Sequence, residues 1–321
     1  MTRFTTAIGA DPDQAAAWLL KGNCVAVPTE TVYGLAANAL DPAAVVRIFE
    51  IKNRPAFDPL IVHVTGLEQA QGYAEEIPAP LRSLAEYFWP GPLTILVSKG
   101  SNIPDLVTSG LPRVALRAPA HPLAQALLHA LPFPLAAPSA NPFGYISPTT
   151  AKHVFDQLQG KIPYILDGGP CRVGVESTIV GFENGQTTVY RLGGLAIEKI
   201  EAHIGPVQVQ LNQSSNPAAP GMLKSHYAPR KPMILLEKTP WPDEKRRIGL
   251  LTLRRRTDLP EHALQIVLSE TGDLAEAAQN LFAALRTLDQ ADIDLIVAES
   301  LPEEGLGRAI NDRLRRAAAQ E

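Results

Sequence analysis

Short apolar runs recur through the first 205 residues of the chain, and their length limits the folds that this region can adopt. Seven such runs are only three to five residues long, which predicts β-strands, because a buried helix needs about ten or more residues. They are Cys24 to Val27, Leu60 to Val64, Leu93 to Val97, Val114 to Leu116, Tyr164 to Leu166, Thr178 to Val180 and Thr188 to Tyr190. Helical patterns lie between the runs without strict alternation. Residues 1–205 are therefore predicted to form one α/β domain on a twisted mixed sheet.

Two helices near the N-terminus are marked by Asp-Pro pairs. Asp11-Pro12 and Asp41-Pro42 each place a capping side chain before a proline at the first helical position. The apolar spacing after the second pair predicts a helix that ends near Lys52.

The pattern changes at residue 206. Residues 206–232 are rich in Asn, Gln, Ser and Pro and have almost no periodic apolar pattern, which predicts a linker. Residues 233–321 then alternate strands and helices, as in a small Rossmann-like α/β domain. The glycines at 305 and 307 lack the third glycine of a phosphate-binding loop. The expected elements are strands Met233 to Leu236, Ile248 to Leu253, Ile266 to Leu268 and Leu295 to Ala298, and helices Leu274 to Leu288 and Arg308 to Ala319.

Composition argues against several classes of protein. A formal net charge of -4 is unlike that of proteins that mainly coat nucleic acid. No stretch approaches the roughly 20 apolar residues of a membrane span, and no basic-then-apolar leader is present, so we expect no membrane partner and a cytoplasmic location. Two cysteines, Cys24 and Cys171, are too few for a disulfide framework or a four-cysteine zinc site. The basic runs at 245–247 and 254–256 are interpreted as solvated strand ends.

Common catalytic signatures such as a Walker A loop, HExxH or GxSxG do not occur in the sequence. Instead, five polar segments follow apolar strands, where α/β sheets carry their sites. Each segment alone also has a structural explanation, namely helix capping, a helix dipole, a surface salt bridge or a turn. Together they predict a composite nucleotide site. The segments are Pro28 to Leu35, Lys52 to Leu60, Val114 to Pro119, Ala136 to Asn141 with Ser147 following, and Asp167 to Gly193.

The chemistry of these segments suits a small anionic ligand. Lys52 and Arg54 follow a predicted helix and are braced by prolines, so they could clamp a triphosphate, and Arg117 at a strand end could bind a carboxylate. The segment Pro28 to Leu35 is expected to form a strand-to-helix turn that offers hydroxyl and N–H groups. His63 lies within an apolar strand, where a lone histidine is usually a core residue.

The same segments resemble the YrdC-type threonylcarbamoyl-AMP synthase family in their order and spacing. The motifs are PTETVYGL, K-x-R-P followed by PLIVH, FWPGPLT, VALRAPAHP, APSAN, and GVESTIV with YRLGG. Residues 220–222 and 226–229 resemble the linker of the longer two-domain form, and residues 305–314 resemble the end of its second domain. The resemblance implies a YrdC-like fold and synthesis of threonylcarbamoyl-AMP from threonine, bicarbonate and ATP. Pyrophosphate would be released, and the product would serve threonylcarbamoyladenosine formation next to the tRNA anticodon.

The resemblance also assigns residues to the substrates. Threonine would be bound by Thr31, His63, Arg117, Ser177 and the main chain at Ala137. ATP would be bound by Arg54, Asp58, Arg113, Ser139, Asn141, Ser147, Arg191 and Tyr227, with Lys52 beside the phosphates and with Lys52 and Arg54 as the catalytic residues. Asn53 stands where many relatives have glycine, and Asp58 where many have asparagine. An acid near phosphate repels it unless magnesium or a helix end intervenes.

The implied reaction depends on positioning and on cations rather than on a protein nucleophile. It implies magnesium that arrives with the ATP phosphates, and no metal held by the protein itself. The implied partners are ATP, L-threonine, bicarbonate and a downstream tRNA threonylcarbamoyl transferase, together with a weak tRNA contact. The linker around His226 and Tyr227, with the second domain, is expected to act as a lid over the site.

Two other functions remain open from the sequence. One is an RNA-binding or ribosome-assembly factor with the same fold, but residues 1–206 hold 14 Lys and Arg against 17 Asp and Glu, a net charge of -3, whereas such a protein should be basic. The other is a carbamoyl-transfer module of the kind found in hydrogenase-maturation proteins. Those modules usually accompany zinc-finger and acylphosphatase parts, for which this chain has neither the cysteines nor the length.

Overall fold

The computed structural model describes residues 4–211, 226–236, 246–257, 259 and 263–319, and within these ranges it contains an eleven-stranded and a four-stranded sheet. Most of the expected linker, residues 212–225, lies outside the described residues. The strands of the larger sheet are Ala7–Gly9 (β1), Val25–Val27 (β2), Gly34–Asn38 (β3), Ile61–His63 (β4), Leu93–Ser98 (β5), Arg113–Arg117 (β6), Leu135–Ala136 (β7), Tyr164–Leu166 (β8), Thr178–Glu183 (β9), Gln186–Arg191 (β10) and Gln208–Val209 (β11).

The larger sheet is mixed, as the sequence predicts. Its strand order is β1-β8-β2-β3-β7-β4-β6-β5-β9-β10-β11. Strand β4 pairs parallel with β6, and β5 pairs antiparallel with β6 and parallel with β9. Because β11 pairs with β10, this sheet extends beyond residue 205 to Val209.

One local expectation is wrong. The segment after β2 does not lead into a helix, because Gly34–Asn38 forms β3, which pairs antiparallel with β2. The sequence Gly-Leu-Ala-Ala-Asn of β3 has one large apolar side chain, so its strand character is not visible in the pattern. Residues 28–33 therefore connect two neighbouring strands, and β2 and β3 fix the polar groups of this segment at the ends of these strands.

The helices of the first domain are Pro12–Leu20 (α1), Pro42–Lys52 (α2), Leu67–Gln71 (α3), Ala79–Phe88 (α4), Asp105–Thr108 (α5), Pro122–His129 (α6), Ala151–Leu158 (α7) and Ile197–Ile204 (α8). Both Asp-Pro starts are confirmed, since the carboxylate of Asp11 accepts from the N–H of Asp13 and that of Asp41 from the N–H of Ala43. Helix α2 ends at Lys52, and Asn53 follows with φ 52° and ψ 41°. Glycine and asparagine tolerate this left-handed conformation best, so Asn53 suits the position.

The two faces of the central strands have different surroundings. Successive side chains of a strand point to opposite faces, and Val62 of β4 packs in one apolar core with Ile48 of α2 and Leu84 of α4. On the other face, Ile61 belongs to a small buried cluster with Leu96, Ala115, Ile179 and Tyr190. His63 and Arg117 lie on this second face, because they are two residues beyond the paired Ile61 and Ala115.

The second domain has the expected open-sheet fold. Its strands are Met233–Leu235 (β12), Ile248–Thr252 (β13), Leu264–Val267 (β14) and Leu295–Ala298 (β15), and its helices are Leu274–Gln290 (α9) and Gly305–Ala317 (α10). The sheet order is β12-β15-β13-β14, with every pair parallel. Among the described residues no helix is long and apolar enough to cross a membrane.

The second domain packs directly on the first. Val32, Ile146 and Val175 of the first domain share one buried apolar cluster with Leu281 and Phe282 of α9. Gly174 has φ +78°, and a Cβ at this position would collide with the backbone of α9 at Ala278 and Gln279. The close approach of the two domains therefore requires glycine at this position.

Candidate active site

A cavity lies on the second face of the central strands, at the ends of β4 and β6. Its empty volume, with the open solvent at its mouth included, is about 570 Å³. Nine of the residues expected from the sequence line it, namely Thr31, Arg54, His63, Arg117, Ala137, Ser139, Ser177, Arg191 and Tyr227. Other lining residues include Thr29, Pro59, Ile61, Glu176 and His226.

One end of the cavity is built around Arg117. This guanidinium donates to the Thr31 hydroxyl at 2.9 Å and to the Glu30 carboxylate at 2.7 Å. The other oxygen of Glu30 accepts from the N–H of Ala120 at 2.9 Å. The side chains of Arg117 and Glu30 are each only 4% exposed, so Glu30 neutralises Arg117 and fixes its direction. Sequence reasoning missed Glu30, although it lies within the PTETVYGL motif.

His63 is buried beside Arg117. Burial, reinforced by the positive charge of Arg117, lowers the pKa of His63 to about 3. The imidazole is therefore neutral near pH 7. Its Nδ1 is buried and has no hydrogen-bond partner within the described part of the chain.

A second set of hydrogen bonds connects Ser177 with Arg191. The Ser177 hydroxyl lies 2.7 Å from that of Thr94 and accepts from Nη2 of Arg191 at 3.0 Å. Arg191 also donates to the main-chain oxygen of Ser177. Burial lowers the pKa of Arg191 to about 10, so the guanidinium keeps its charge near pH 7. Thr94 was not predicted as a site residue, because it lies on β5 in a run of sequence that is typical of an ordinary apolar strand.

Arg54 adds a further cation to the cavity lining. Its Nε donates to the main-chain oxygen of Asp58 at 3.0 Å and its Nη2 to that of Pro59 at 2.8 Å. Nη2 also lies 2.8 Å from the carboxylate of Asp58. The loop after α2 is thus closed around the guanidinium, which fixes Arg54 on the cavity wall.

Lys52 does not line the cavity but braces its wall. Its ammonium donates to the main-chain oxygens of Ser139 and Asn141, and the residue is only 1% exposed. Burial, followed by the charge of Arg54, lowers the pKa of Lys52 well below its ordinary value. Lys52 therefore holds the turn that presents Ser139 to the cavity.

Four other expected ATP residues also lie outside the lining. Asp58 is fully buried and paired with Arg54, which explains how an acid is accommodated beside the cavity. Asn141 donates to the main-chain oxygens of Pro142 and Tyr145, and Ser147 donates to the Glu176 carboxylate at 2.7 Å. Arg113 lies at the opposite end of β6 from Arg117.

Arg113 shares a sheet face with Arg117 because the two are four residues apart on one strand. At about 3.3 Å per residue, however, the two positions are roughly 13 Å apart along β6. The Arg113 guanidinium lies over the Tyr190 ring, 5.1 Å from its centroid, and 3.6 Å from Glu183. An elongated ligand would have to cross the Ile61 cluster to reach it.

His226 and Tyr227 close the cavity from the side of the second domain. Their rings meet edge to face at 4.1 Å, and the Tyr227 ring stacks on Phe282 of α9 at 5.5 Å. Tyr227 has φ 66°, a strained value for a non-glycine residue. Burial raises the pKa of Tyr227 to about 12 and lowers that of His226 well below its ordinary value, so both are neutral near pH 7.

Glu176 is the carboxylate that lines the cavity itself. Sequence reasoning did not assign it, although it lies inside the quoted GVESTIV motif. It accepts from Ser147 and, through its other oxygen, from Arg313 of α10 at 3.1 Å. One acidic side chain thus connects the cavity to the second domain.

Comparison with known proteins covers both domains. Residues 17–193 match a family model described as "Telomere recombination", for the Sua5, YciO and YrdC proteins. Residues 195–319 match the model described as "Threonylcarbamoyl-AMP synthase, C-terminal domain".

Individual relatives match over nearly the whole chain. Curated proteins named threonylcarbamoyl-AMP synthase from Pyrococcus abyssi and Bacillus subtilis are 43% and 42% identical, over 95% of this chain and 93% and 92% of theirs. A crystal structure of P. abyssi Sua5 complexed with L-threonine is similar with a TM-score of 0.89 and 39% identity, over 98% of this chain and 97% of that one. This chain belongs to the Sua5, YciO and YrdC family, in the two-domain form that carries the threonylcarbamoyl-AMP synthase C-terminal domain.

Proposed function

We propose that this chain synthesises L-threonylcarbamoyl-AMP from L-threonine, bicarbonate and ATP. The observation that carries the proposal is that Arg117 and the pair Arg54 and Arg191 line one cavity. A carboxylate and a polyphosphate are both anions that guanidinium groups bind well. The relatives that share both domains bear the name of this activity.

The threonine subsite is the end of the cavity around Arg117. The substrate carboxylate would pair with Arg117, while Thr31, His63, Ser177 and the main chain at Ala137 would surround the rest of the amino acid. The structure of the P. abyssi relative was determined with L-threonine, which supports a threonine site in this fold. The amine would remain free to react.

The nucleotide subsite is the part lined by Arg54, Ser139, Arg191 and Tyr227. Three residues would act on ATP indirectly, by holding the cavity wall in place: Asn141, Ser147 and Lys52. Arg113 would contact only the far end of the nucleotide. For Asp58 we propose a supporting role through Arg54. Magnesium would arrive with the ATP phosphates, whose roughly four negative charges the two lining guanidinium groups only partly balance.

The reaction follows in two steps. Threonine's amine adds to bicarbonate with loss of water to give a carbamate, and the carbamate oxygen then attacks the α-phosphorus of ATP and expels pyrophosphate. Arg54 and Arg191 would stabilise the charge that develops on phosphate. A buried cavity limits hydrolysis of the short-lived carbamate. We propose that a tRNA threonylcarbamoyl transferase consumes the product in the cytoplasm, with at most a weak contact between this chain and tRNA.

The experiment is an assay of purified protein with ATP, magnesium, labelled bicarbonate and each amino acid in turn. We expect pyrophosphate release that depends on threonine and a labelled adenylate as product. Equal release with serine, or without any amino acid, would contradict the proposal.

The lid, which would be formed by the linker around His226 and Tyr227 with the second domain, is a separate part of the proposal. Removing the chain after residue 210 keeps β11 but takes away His226, Tyr227 and the second domain. The exposed cavity should then lose most of its synthase activity. A shortened chain that unfolds cooperatively on heating and keeps full activity would refute the lid.

A further inference from the structure

Arg313 of α10 is the side chain through which the second domain reaches the wall of the cavity. The residue is fully buried, with 0% exposure. Its Nε donates to the Glu176 carboxylate at 3.1 Å, and its Nη1 donates to the main-chain oxygen of Leu192 at 2.6 Å and to the Asp312 carboxylate at 3.0 Å. The guanidinium also lies 5.5 Å from the centroid of the Tyr227 ring.

Each partner of Arg313 in the first domain adjoins a residue that is assigned to ATP. Glu176 lines the cavity and, through its other oxygen, accepts from the hydroxyl of Ser147 at 2.7 Å. Leu192 directly follows Arg191, which lines the cavity. One guanidinium therefore fixes both the carboxylate beside Ser147 and the main chain beside Arg191.

We infer that Arg313 is a positioning residue of the nucleotide subsite, supplied by the second domain. The inference rests on the proposed function, because it assigns Arg313 to the ATP side of that reaction. Without Arg313, Glu176 would become a buried carboxylate with one partner fewer, next to the place where phosphates bind. Such a carboxylate repels phosphate, and Ser147 and Arg191 would lose their fixed arrangement.

The planar fork of arginine is essential to this role. Glu176 and Leu192 are contacted by two different nitrogens of the guanidinium, a geometry that an ammonium group on a flexible stem reproduces poorly. Lysine at this position would keep the charge beside Glu176 but lose one of the two contacts. The effect of Arg313→Lys should therefore lie between those of the wild type and of Arg313→Met.

The test measures threonine-dependent pyrophosphate release by the full chain at varied ATP and varied threonine. We expect Arg313→Met to raise KM for ATP about tenfold or more, with KM for threonine changed less than about threefold, and Arg313→Lys to raise KM for ATP about threefold. The matched control is Arg315→Met, two residues along the same helix, where a partly exposed side chain pairs with Glu303. This control should retain the kinetics of the wild type.

A double-substitution cycle separates positioning from general damage. Glu176→Gln should produce a smaller ATP-selective defect, because it breaks the contact without leaving a carboxylate that repels phosphate. Glu176→Gln combined with Arg313→Met should be no worse than Arg313→Met alone, because both act through one contact. Thermal unfolding of every variant identifies the fraction folded at the assay temperature. If Arg313→Met does not fold, Arg313→Lys and Glu176→Gln decide the question.

The outcomes are distinct for the two claims. Wild-type protein without threonine-dependent pyrophosphate release would overturn the proposed function. An active wild type whose folded Arg313 variants retain their KM for ATP, or lose activity equally toward ATP and threonine, would overturn the role of Arg313 alone. Additive defects in the double variant would do the same.

Discussion

Glu30 holds Arg117 at 2.7 Å, and both side chains are almost entirely shielded from solvent. The pair lies at the end of the cavity where we place the threonine carboxylate. In the proposed site, Arg117 would meet the threonine carboxylate with its orientation already fixed, and the negative charge of Glu30 offsets the cost of burying the guanidinium.

Removing the charge of Glu30 should weaken threonine binding through Arg117. In Glu30→Gln the amide keeps the shape but not the charge, and a hydrogen bond to a charged group contributes about 2 kcal/mol. We expect kcat/KM for threonine to fall roughly thirtyfold, with KM for ATP nearly unchanged. Steady-state kinetics at saturating ATP measure this, and Glu86→Gln on the exposed face of α4 is the control. A threonine KM equal to that of the wild type would show that Glu30 is dispensable.

Arg117 and Arg54 should have separable kinetic effects. Arg117→Ala removes the proposed carboxylate partner and should mainly raise KM for threonine. Arg54→Ala removes a proposed phosphate partner and should mainly raise KM for ATP and slow the adenylation step. Initial rates over a grid of both substrates distinguish the two defects. Variants that behave alike, or like the parent, would refute both assignments.

Acid should destabilise the protein through its buried histidines. Burial lowers the pKa of His63 to about 3 and that of His153 to about 4, whereas an unfolded histidine titrates near 6.5. Below that pH the unfolded chain binds more protons than the folded one, so stability present above pH 6.5 is lost as the pH falls.

The window from pH 6.5 to 5 isolates this effect, because carboxylates protonate mainly at lower pH. We expect the thermal midpoint to fall through this window and to fall less steeply in His153→Asn. His129→Asn, at an exposed site on α6, is the control for the substitution itself. A midpoint that is independent of pH in this window would contradict the burial argument.

Docking of the second domain should depend on Arg286 far more than on Arg308. Arg286 of α9 is buried and donates to the main-chain oxygens of Ile146 and Ser147. Arg308 of α10 also pairs across the domains, with Glu198, but both side chains of this pair are partly exposed.

The substitutions Arg286→Met and Arg308→Met measure the difference. The first leaves buried carbonyls without their donor, at a cost of about 1 to 3 kcal/mol each, whereas an exposed ion pair is worth about 0 to 1 kcal/mol. Urea unfolding should therefore show a large loss of stability for Arg286→Met and a small one for Arg308→Met. Equal losses would argue against the buried contact as the main polar link between the domains.

Strand-length runs and Asp-Pro pairs were enough to predict the mixed sheet, the first helices and the second domain. Strand β3 was not predictable by pattern, because its glycine and alanines acquire strand geometry only from β2 and β7 on either side. The division at residues 205 and 232 stays a prediction, because β11 extends the larger sheet to Val209 and residues 212–225 lie outside the described part of the chain.

The candidate site was predictable in part. The family resemblance assigns residues to threonine and ATP, and nine of those positions line one cavity. It overlooks the acids Glu30 and Glu176, which act on the cations rather than on the substrates. The contact of Glu176 with Arg313 spans 137 residues of sequence, and no local pattern reports a pairing at that distance.

The central claim is that one cavity seats threonine beside a nucleotide. A crystal structure of the protein with threonine, magnesium and a non-hydrolysable ATP analogue tests it most directly. We predict the threonine carboxylate within hydrogen-bond distance of Arg117, phosphates on Arg54 and Arg191, and the threonine amine facing the α-phosphorus. Threonine and nucleotide bound in separate cavities, with Arg117 and Arg191 contacting neither, would contradict the account.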